Sequence, residues 1–309
     1  MAKPWNLFSR SYFPARTHRL ADSQSPSIMR TKAALLHCVE RARQRTLVSM
    51  AFFLGTAGWT VPKQYLALFS VTAGSARLSH LQRYASRLRC VEINSSFHRP
   101  HRRATWERWA ATTPDDFRFA VKAPKTVTHT AKLVNTGGAL LEFFDAVRGL
   151  GDKLGPVLVQ LPPKLSFDEG VAHEFFTTLR ELHSGMVVVE PRHPSWFAAS
   201  VDRLLRGFAI ARVAADPPKG SELAARPGGW PGLCYWRLHG APRTYYSDYG
   251  EHWLQTFAEQ LQLLEDGAEN RETWVIFDNT ALGHATANAV WLDDALRRRT
   301  PSRETSSID

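Results

Sequence analysis

Eight short runs rich in Val, Ile, Phe and Leu alternate with segments of helical period across about 250 residues, which predicts an α/β fold, a single (β/α)8 barrel of the TIM type. Two further observations support closure. Runs such as Val157-Leu158-Val159 and Met186-Val187-Val188-Val189 are continuously apolar, as expected of strands buried on both faces between a barrel interior and an outer helical layer. Nearly every run also ends in polar or charged residues, at the end where barrel proteins gather their functional groups.

Taken in order, the strand runs are Phe52–Trp59, Arg89–Phe97, Phe117–Ala123, Pro156–Leu161, Met186–Glu190, Ala209–Ala214, Cys234–His239 and Thr273–Phe277. Between them lie helical segments such as Ala139–Leu150, Val171–Leu182 and Glu251–Glu265. The last places Trp253, Leu254, Phe257, Leu261 and Leu264 on one face. An open doubly wound sheet is the alternative, but Gly55-Thr56-Ala57-Gly58-Trp59 lacks the third glycine and the immediate helix of a dinucleotide turn. The expected organisation is a basic, disordered extension over 1–49, the barrel over 50–299 and a flexible tail over 300–309.

The chain has 309 residues, 44% hydrophobic and 22% charged, an ordinary globular composition. No apolar run approaches the ~20 residues of a membrane-spanning helix. Cys38, Cys90 and Cys234 are far apart and odd in number, which argues against a disulfide framework or a thiolate zinc site and fits a reducing cytoplasm. The formal charge of +10 is unevenly spread: +7 falls in residues 1–49 and +2 in 297–309, leaving +1 for the rest. The extension is Arg- and Ser-rich, poor in acids and broken by Pro4, Pro14 and Pro26. That composition fits a transit peptide, an ordinary tail, or an over-called start with Met50 as the alternative. Nucleic-acid binding is thereby possible through the extension, whereas the near-neutral body offers little for counterion release.

The polar run ends are Glu92 and Asn94, Lys122, Gln160, Glu190 with Arg192 and His193, Asp216, Arg237 and His239, and Asp278 with Asn279. Side chains alternate along a strand, so Glu92 and Asn94 share one face, as do Arg237 and His239. Two glutamates among cations can be driven to different pKa values, one donating a proton and the other accepting or anchoring. Glu190, Glu92 and His239 are the expected catalytic residues, Glu190 first. Lys122, Arg192 and Arg237 form a positive cradle for phosphate, carboxylate or a developing oxyanion. Gln160, His193, Asn94, His129 and Asp278 complete the expected substrate contacts. Trp59 offers an apolar wall, as does Trp196, although either tryptophan serves equally as a core cap. The bland readings are structural ion pairs for Arg192 and Arg237, a core histidine for His239, and backbone satisfaction for Gln160. A Schiff-base role for Lys122 needs a lowered pKa, which sequence alone does not reveal. Glu92, His129, Glu190, Asp216 and His239 are conceivable ligands of a divalent metal, yet no HxH or HExxH spacing is present, so a metal is not favoured. No organic cofactor motif is present.

Several of these segments occur together, in order, in a known family. Gly55-Thr56-Ala57-Gly58-Trp59, Val91-Glu92-Ile93-Asn94-Ser95-Ser96-Phe97, Phe119-Ala120-Val121-Lys122, Thr128-His129, Gln160-Leu161-Pro162-Pro163, Glu190-Pro191-Arg192-His193-Pro194-Ser195-Trp196, Arg237-Leu238-His239-Gly240 and Asn288-Ala289 carry the resemblance. Over residues 52–298 the chain resembles the YecE-like family, domain of unknown function seventy-two, which implies a β/α barrel and no settled activity. His98 stands where that family usually shows Tyr, and Phe277-Asp278-Asn279 where it usually shows Phe-Asn-Asn, so a negative charge replaces an amide. The expected function is an enzyme of hydrolase, lyase or isomerase type. It would use acid/base chemistry on a small polar or anionic, sugar- or phosphate-like substrate. A nucleic-acid-binding or processing protein and a non-catalytic binding protein are the alternatives.

Overall fold

The computed structural model describes residues 52–69, 78–265 and 271–299; the basic extension and the tail lie outside the described residues. The strands are β1 (Phe52–Ala57), β2 (Cys90–Ile93), β3 (Arg118–Lys122), β4 (Leu154–Gln160), β5 (Val187–Glu190), β6 (Ile210–Arg212), β7 (Ala214–Asp216), β8 (Gly228–Gly229), β9 (Leu233–Leu238) and β10 (Glu272–Phe277). They form one sheet in the order β7-β9-β10-β1-β2-β3-β4-β5-β6-β8. Every neighbouring pair is parallel except β6 with the short β8.

The ends of that order are one stretch of chain. β6 pairs with β5, and after Val213 alone, β7 pairs with β9, so residues 210–216 hand the sheet from one edge to the other and close it. The sixth expected strand, Ala209–Ala214, is thus two short strands, because a single straight one cannot pair along its whole length with both neighbours of a twisted ring. The expected second strand overruns: it ends at Ile93, and a helical turn over Ser95–His98 follows at once.

Strand alternation divides the core in two. Phe53, Cys90, Ala120, Leu158, Val188, Ala211, Tyr235, Trp274 and Ile276 fill the barrel interior. The opposite faces, including Val91, Val121, Val157, Val159, Val187 and Val275, pack beneath the helices. These helices are α1 (His80–Ala85), α2 (Ser95–His98), α3 (Arg103–Ala111), α4 (Gly137–Val147), α5 (Glu169–Leu182), α6 (Ala199–Gly207), α7 (Glu251–Glu265) and α8 (His284–Arg299). Among the described residues, no helix is long and apolar enough to cross a membrane.

Candidate active site at the C-terminal ends of the strands

The interior parity continues beyond the apolar layer. Two residues after Cys90, Ala120, Leu158, Val188, Tyr235 and Ile276 come Glu92, Lys122, Gln160, Glu190, Arg237 and Asp278. Apolar side chains thus plug the barrel, and the next inward layer is polar and ionic.

Arg237 is the hub, with only 1% of its surface exposed. Its Nε and Nη2 donate to Glu92 at 3.0 and 2.8 Å, Nη1 donates to Glu190 Oε2 at 2.6 Å, and Nη2 also reaches Asp278 Oδ2 at 3.0 Å. Glu92 additionally accepts from the Tyr235 hydroxyl at 2.8 Å and from Asn94 Nδ2 at 3.0 Å. Gln160 Nε2 donates to Glu190 Oε2 at 2.9 Å, while Arg192 Nε and Nη2 donate to Oε1 at 3.1 and 2.9 Å. His239 Nδ1 lies 2.9 Å from Asp278 Oδ2. Its Nε2 is 3.5 Å from Glu190 Oε1, within ion-pair range but too long for a satisfied hydrogen bond, and is a buried atom without a partner. Buried charges are costly unless paired, and this cluster pairs three carboxylates with cations on three sides.

The electrostatics sort the groups. Burial opposes ionisation of Glu190, but Arg237, His239 and Arg192 outweigh it and hold the carboxyl well below its usual range. Asp278 is held down in the same way, against burial, by Arg237 and His239. Burial would neutralise His239, yet its hydrogen bond to Asp278 and the nearby carboxylate of Glu190 raise its pKa. Lys122 behaves oppositely: burial first, then the charge of Arg237, lower its pKa to about 8 despite the nearby carboxylates. Its Nζ rests 4.3 Å from the centre of the Phe97 ring. The His129 ring meets the same Phe97 edge-on at 4.9 Å, and its Nδ1 lies 2.9 Å from Thr128 Oγ1. Burial, then Lys122, Arg192 and Lys125, lower the pKa of His129.

Glu92, Asn94, Lys122, Gln160, Glu190, Arg192, Arg237, His239 and Asp278 therefore come together, with His129 at the rim beside Phe97. Other polar run ends do not join them. His193 Nδ1 lies 2.8 Å from Ser195 Oγ and caps the turn carrying Trp196, whose buried indole donates to Leu165 O at 3.0 Å. Trp59 is half-buried edge-on against Trp109 at 5.0 Å. Asp216, one residue past the inward-facing Ala215, accepts from the Tyr249 hydroxyl at 2.7 Å. Asn279 Nδ2 ties Ser247 O at 3.0 Å to Asn288 Oδ1 at 2.8 Å. Among the described residues no three His, Cys, Asp or Glu side chains are grouped to hold a metal ion.

Four participants lie outside the polar run ends. Tyr235 and Phe97 look like core residues in sequence, although the parity of Tyr235 with Arg237 places both inside the barrel. Thr128 carries no sequence signal beyond its place in the Thr128-His129 segment. Tyr245 gave no signal: it sits in the loop after β9 with a left-handed φ of 72°, its ring edge-on to His239 at 5.9 Å. Such backbone strain in a non-glycine residue is concentrated at functional sites.

Fold and site together define a closed β/α-barrel protein with a buried ionic cluster at the C-terminal ends of its strands. The family model described as "Protein of unknown function DUF72" matches residues 53–307, and the chain belongs to that family. It is 31% identical over 171 residues to UPF0759 protein YecE of Escherichia coli K12, a match covering 53% of this chain and 58% of that protein. The match to YecE of E. coli O157:H7 covers 50% of the relative, so the chain spans about half the length of these curated relatives. UPF0759 protein YunF of Bacillus subtilis 168 is 24% identical over 263 residues, covering 76% of this chain and 91% of YunF. Among solved structures, a DUF72 family protein of Thermotoga maritima superposes with a TM-score of 0.63 at 26% identity, covering 81% of this chain and all (100%) of that one. One from Enterococcus faecalis V583 gives 0.66 at 19% identity over 80% and 96%.

Proposed function

We propose that the chain is an enzyme that performs acid/base chemistry on a small anionic or polar substrate, sugar- or phosphate-like, at the C-terminal face of the barrel. One observation carries this reading: the charge balance of the strand ends. Arg237, Arg192, Lys122 and His239, whose pKa is raised, face Glu92, Glu190 and Asp278, an excess of one positive charge whenever the His239 ring is protonated. An anion entering there neutralises the excess, and a purely structural ion network has no need of one.

Arg237 is saturated by its three carboxylates and serves as scaffold, so the substrate's anionic group falls to Lys122, Arg192 and His129. Glu190 is held ionised by three cationic partners and is a weak base. It fits an electrostatic anchor better than the acid/base residue expected first from sequence. The donor is His239, whose pKa Asp278 and Glu190 raise against burial, with Nε2 left unsatisfied. Tyr245 covers this ring and forms part of the substrate's wall.

The test is a thermal-shift screen of the full chain against sugars, sugar phosphates, nucleotides, small carboxylates, divalent metals, and short DNA and RNA, repeated on His239→Gln and Arg192→Ala. Ligand binding to the folded state raises apparent stability by mass action, about 2.7 kcal/mol at a hundredfold excess over Kd. A small anionic class that stabilises the wild type, weakly stabilises Arg192→Ala and is not turned over by His239→Gln supports the reading. A response to nucleic acid alone transfers the function to the basic extension and overturns it.

A further inference from the structure

We infer that Lys122 is a covalent catalyst, an amine nucleophile toward an aldehyde or ketone substrate that carries an anionic group. This deepens, and rests on, the reading of the strand ends as an active site.

The first observation is the situation of the amine. Lys122 is only 9% exposed, yet among the described residues its Nζ has no hydrogen-bond acceptor, only the face of Phe97 at 4.3 Å. The nearby carboxylates are occupied: Glu92 by Arg237, Tyr235 and Asn94, Glu190 by Arg237, Arg192 and Gln160, and Asp278 by Arg237 and His239. The face of Phe97 attracts an ammonium, but a cation–π contact replaces only part of the hydration and hydrogen bonding that a largely buried ammonium gives up, so burial still favours the neutral amine. The second observation is rigidity. Lys122 ends β3, and its carbonyl accepts from the buried Ser96 Oγ at 2.7 Å, which fixes the backbone from which the side chain reaches the mouth.

Burial and Arg237 lower the pKa of Lys122 to about 8, supplying free amine near neutrality that an ordinary lysine lacks. The Nζ lone pair attacks the carbonyl carbon, and the oxygen takes up the proton released from nitrogen to give a carbinolamine. The hydroxyl then leaves as water after accepting a proton from a general acid, for which His239 is the candidate, and the nitrogen lone pair forms the C=N bond. The product is a protonated imine, and Glu92, Glu190 and Asp278, which favour positive charge at this nitrogen, stabilise it. With the lysine consumed, Arg192 and His129 remain to hold the anionic group.

The experiment is reductive trapping of the full chain with glyoxylate, an aldehyde bearing a carboxylate, and cyanoborohydride, read by peptide mapping across a pH series. Glycolaldehyde is the uncharged comparison. The higher free-amine fraction, reduced by the lower nucleophilicity of a weaker base, predicts trapping at Lys122 roughly tenfold faster than at the exposed Lys125 near neutral pH. The Lys122 rate is expected to inflect near the pKa of about 8. The Lys122-to-Lys125 ratio is expected to be higher with glyoxylate than with glycolaldehyde, and Arg192→Ala to remove that preference. Lys122→Arg, which keeps the charge and the fold, abolishes the adduct at this position. Trapping at Lys122 no faster than at Lys125, or without an inflection below the ordinary lysine range, overturns the inference. If that happens while small anions still stabilise the wild type in a His239- and Arg192-dependent way, the active-site reading stands and only the imine falls. Trapping at Lys122 with no such dependence supports the amine and overturns His239 as donor.

Discussion

Arg237 shows how a few atoms determine the behaviour of the whole mouth. Arg237→Met keeps much of the volume but leaves Glu92, Glu190 and Asp278 buried without their shared cation. The expected loss is about 3–5 kcal/mol in urea unfolding at neutral pH, with partial recovery in acid as the carboxylates protonate. Tyr235→Phe removes one donor to Glu92 and is expected to cost about 1–3 kcal/mol by the same measurement. Two histidines set opposite pH limbs. His183, stacked on Phe144, is kept neutral chiefly by burial, its pKa lowered to about 3. Between that value and the unfolded value near 6.5 the unfolded chain binds the extra proton, so stability falls as pH drops through this window. His239 has a raised folded pKa. Its contribution is complete below about 6.5 and is lost as pH rises through the folded value. Thermal midpoints across pH should therefore peak in the mildly acidic range, with His183→Phe flattening the acid limb and His239→Gln the alkaline one. A profile unchanged by both substitutions would contradict this assignment.

At the scale of elements, the strands and helices were legible because their patterns are local. Continuous apolar runs marked β4 and β5, and the spacing of Trp253, Leu254, Phe257 and Leu261 marked α7. The missed boundaries have physical reasons. Ser95-Ser96-Phe97 reads as strand but turns helical directly after β2, where Ser96 Oγ can reach Lys122 O on β3, a contact 26 positions away that local patterning cannot anticipate. Gly55 on β1 shows a tertiary demand on a single position: a Cβ there would run into the backbone carbonyl and sulfur of Cys90 on β2. Gly55→Ala is expected to destabilise by about 1–3 kcal/mol or more, since the obstacle is backbone and cannot rotate away. Circular dichroism with urea titration reads this directly, and an unchanged midpoint would mean that the two strands separate at little cost.

For the whole molecule, closure rests on residues 210–216, where the chain leaves β5 and joins β9 within a few residues. Val213 N donates to Val189 O at 2.9 Å at the point of exchange. Val213→Pro removes that donor and is expected to cost ~3 kcal/mol and to speed hydrogen exchange in β5 and β9 together, if the ring unfolds as one unit. The sequence by itself determined the alternation of strand and helix, and hence the barrel, because hydrophobic periodicity and run length are written locally. It also determined which polar residues stand at the strand ends and, through period-two alternation, which of them share a face. Only the tertiary structure decided that Arg237 is enclosed by three carboxylates, that His193, Asp216 and Asn279 turn to structural partners, and that Phe97 and Tyr245 join the site. It alone set the directions in which Glu190, His239 and Lys122 are shifted from their ordinary pKa values. A pKa depends on which charges and how much solvent surround a group, and those surroundings are assembled from strands far apart in the chain.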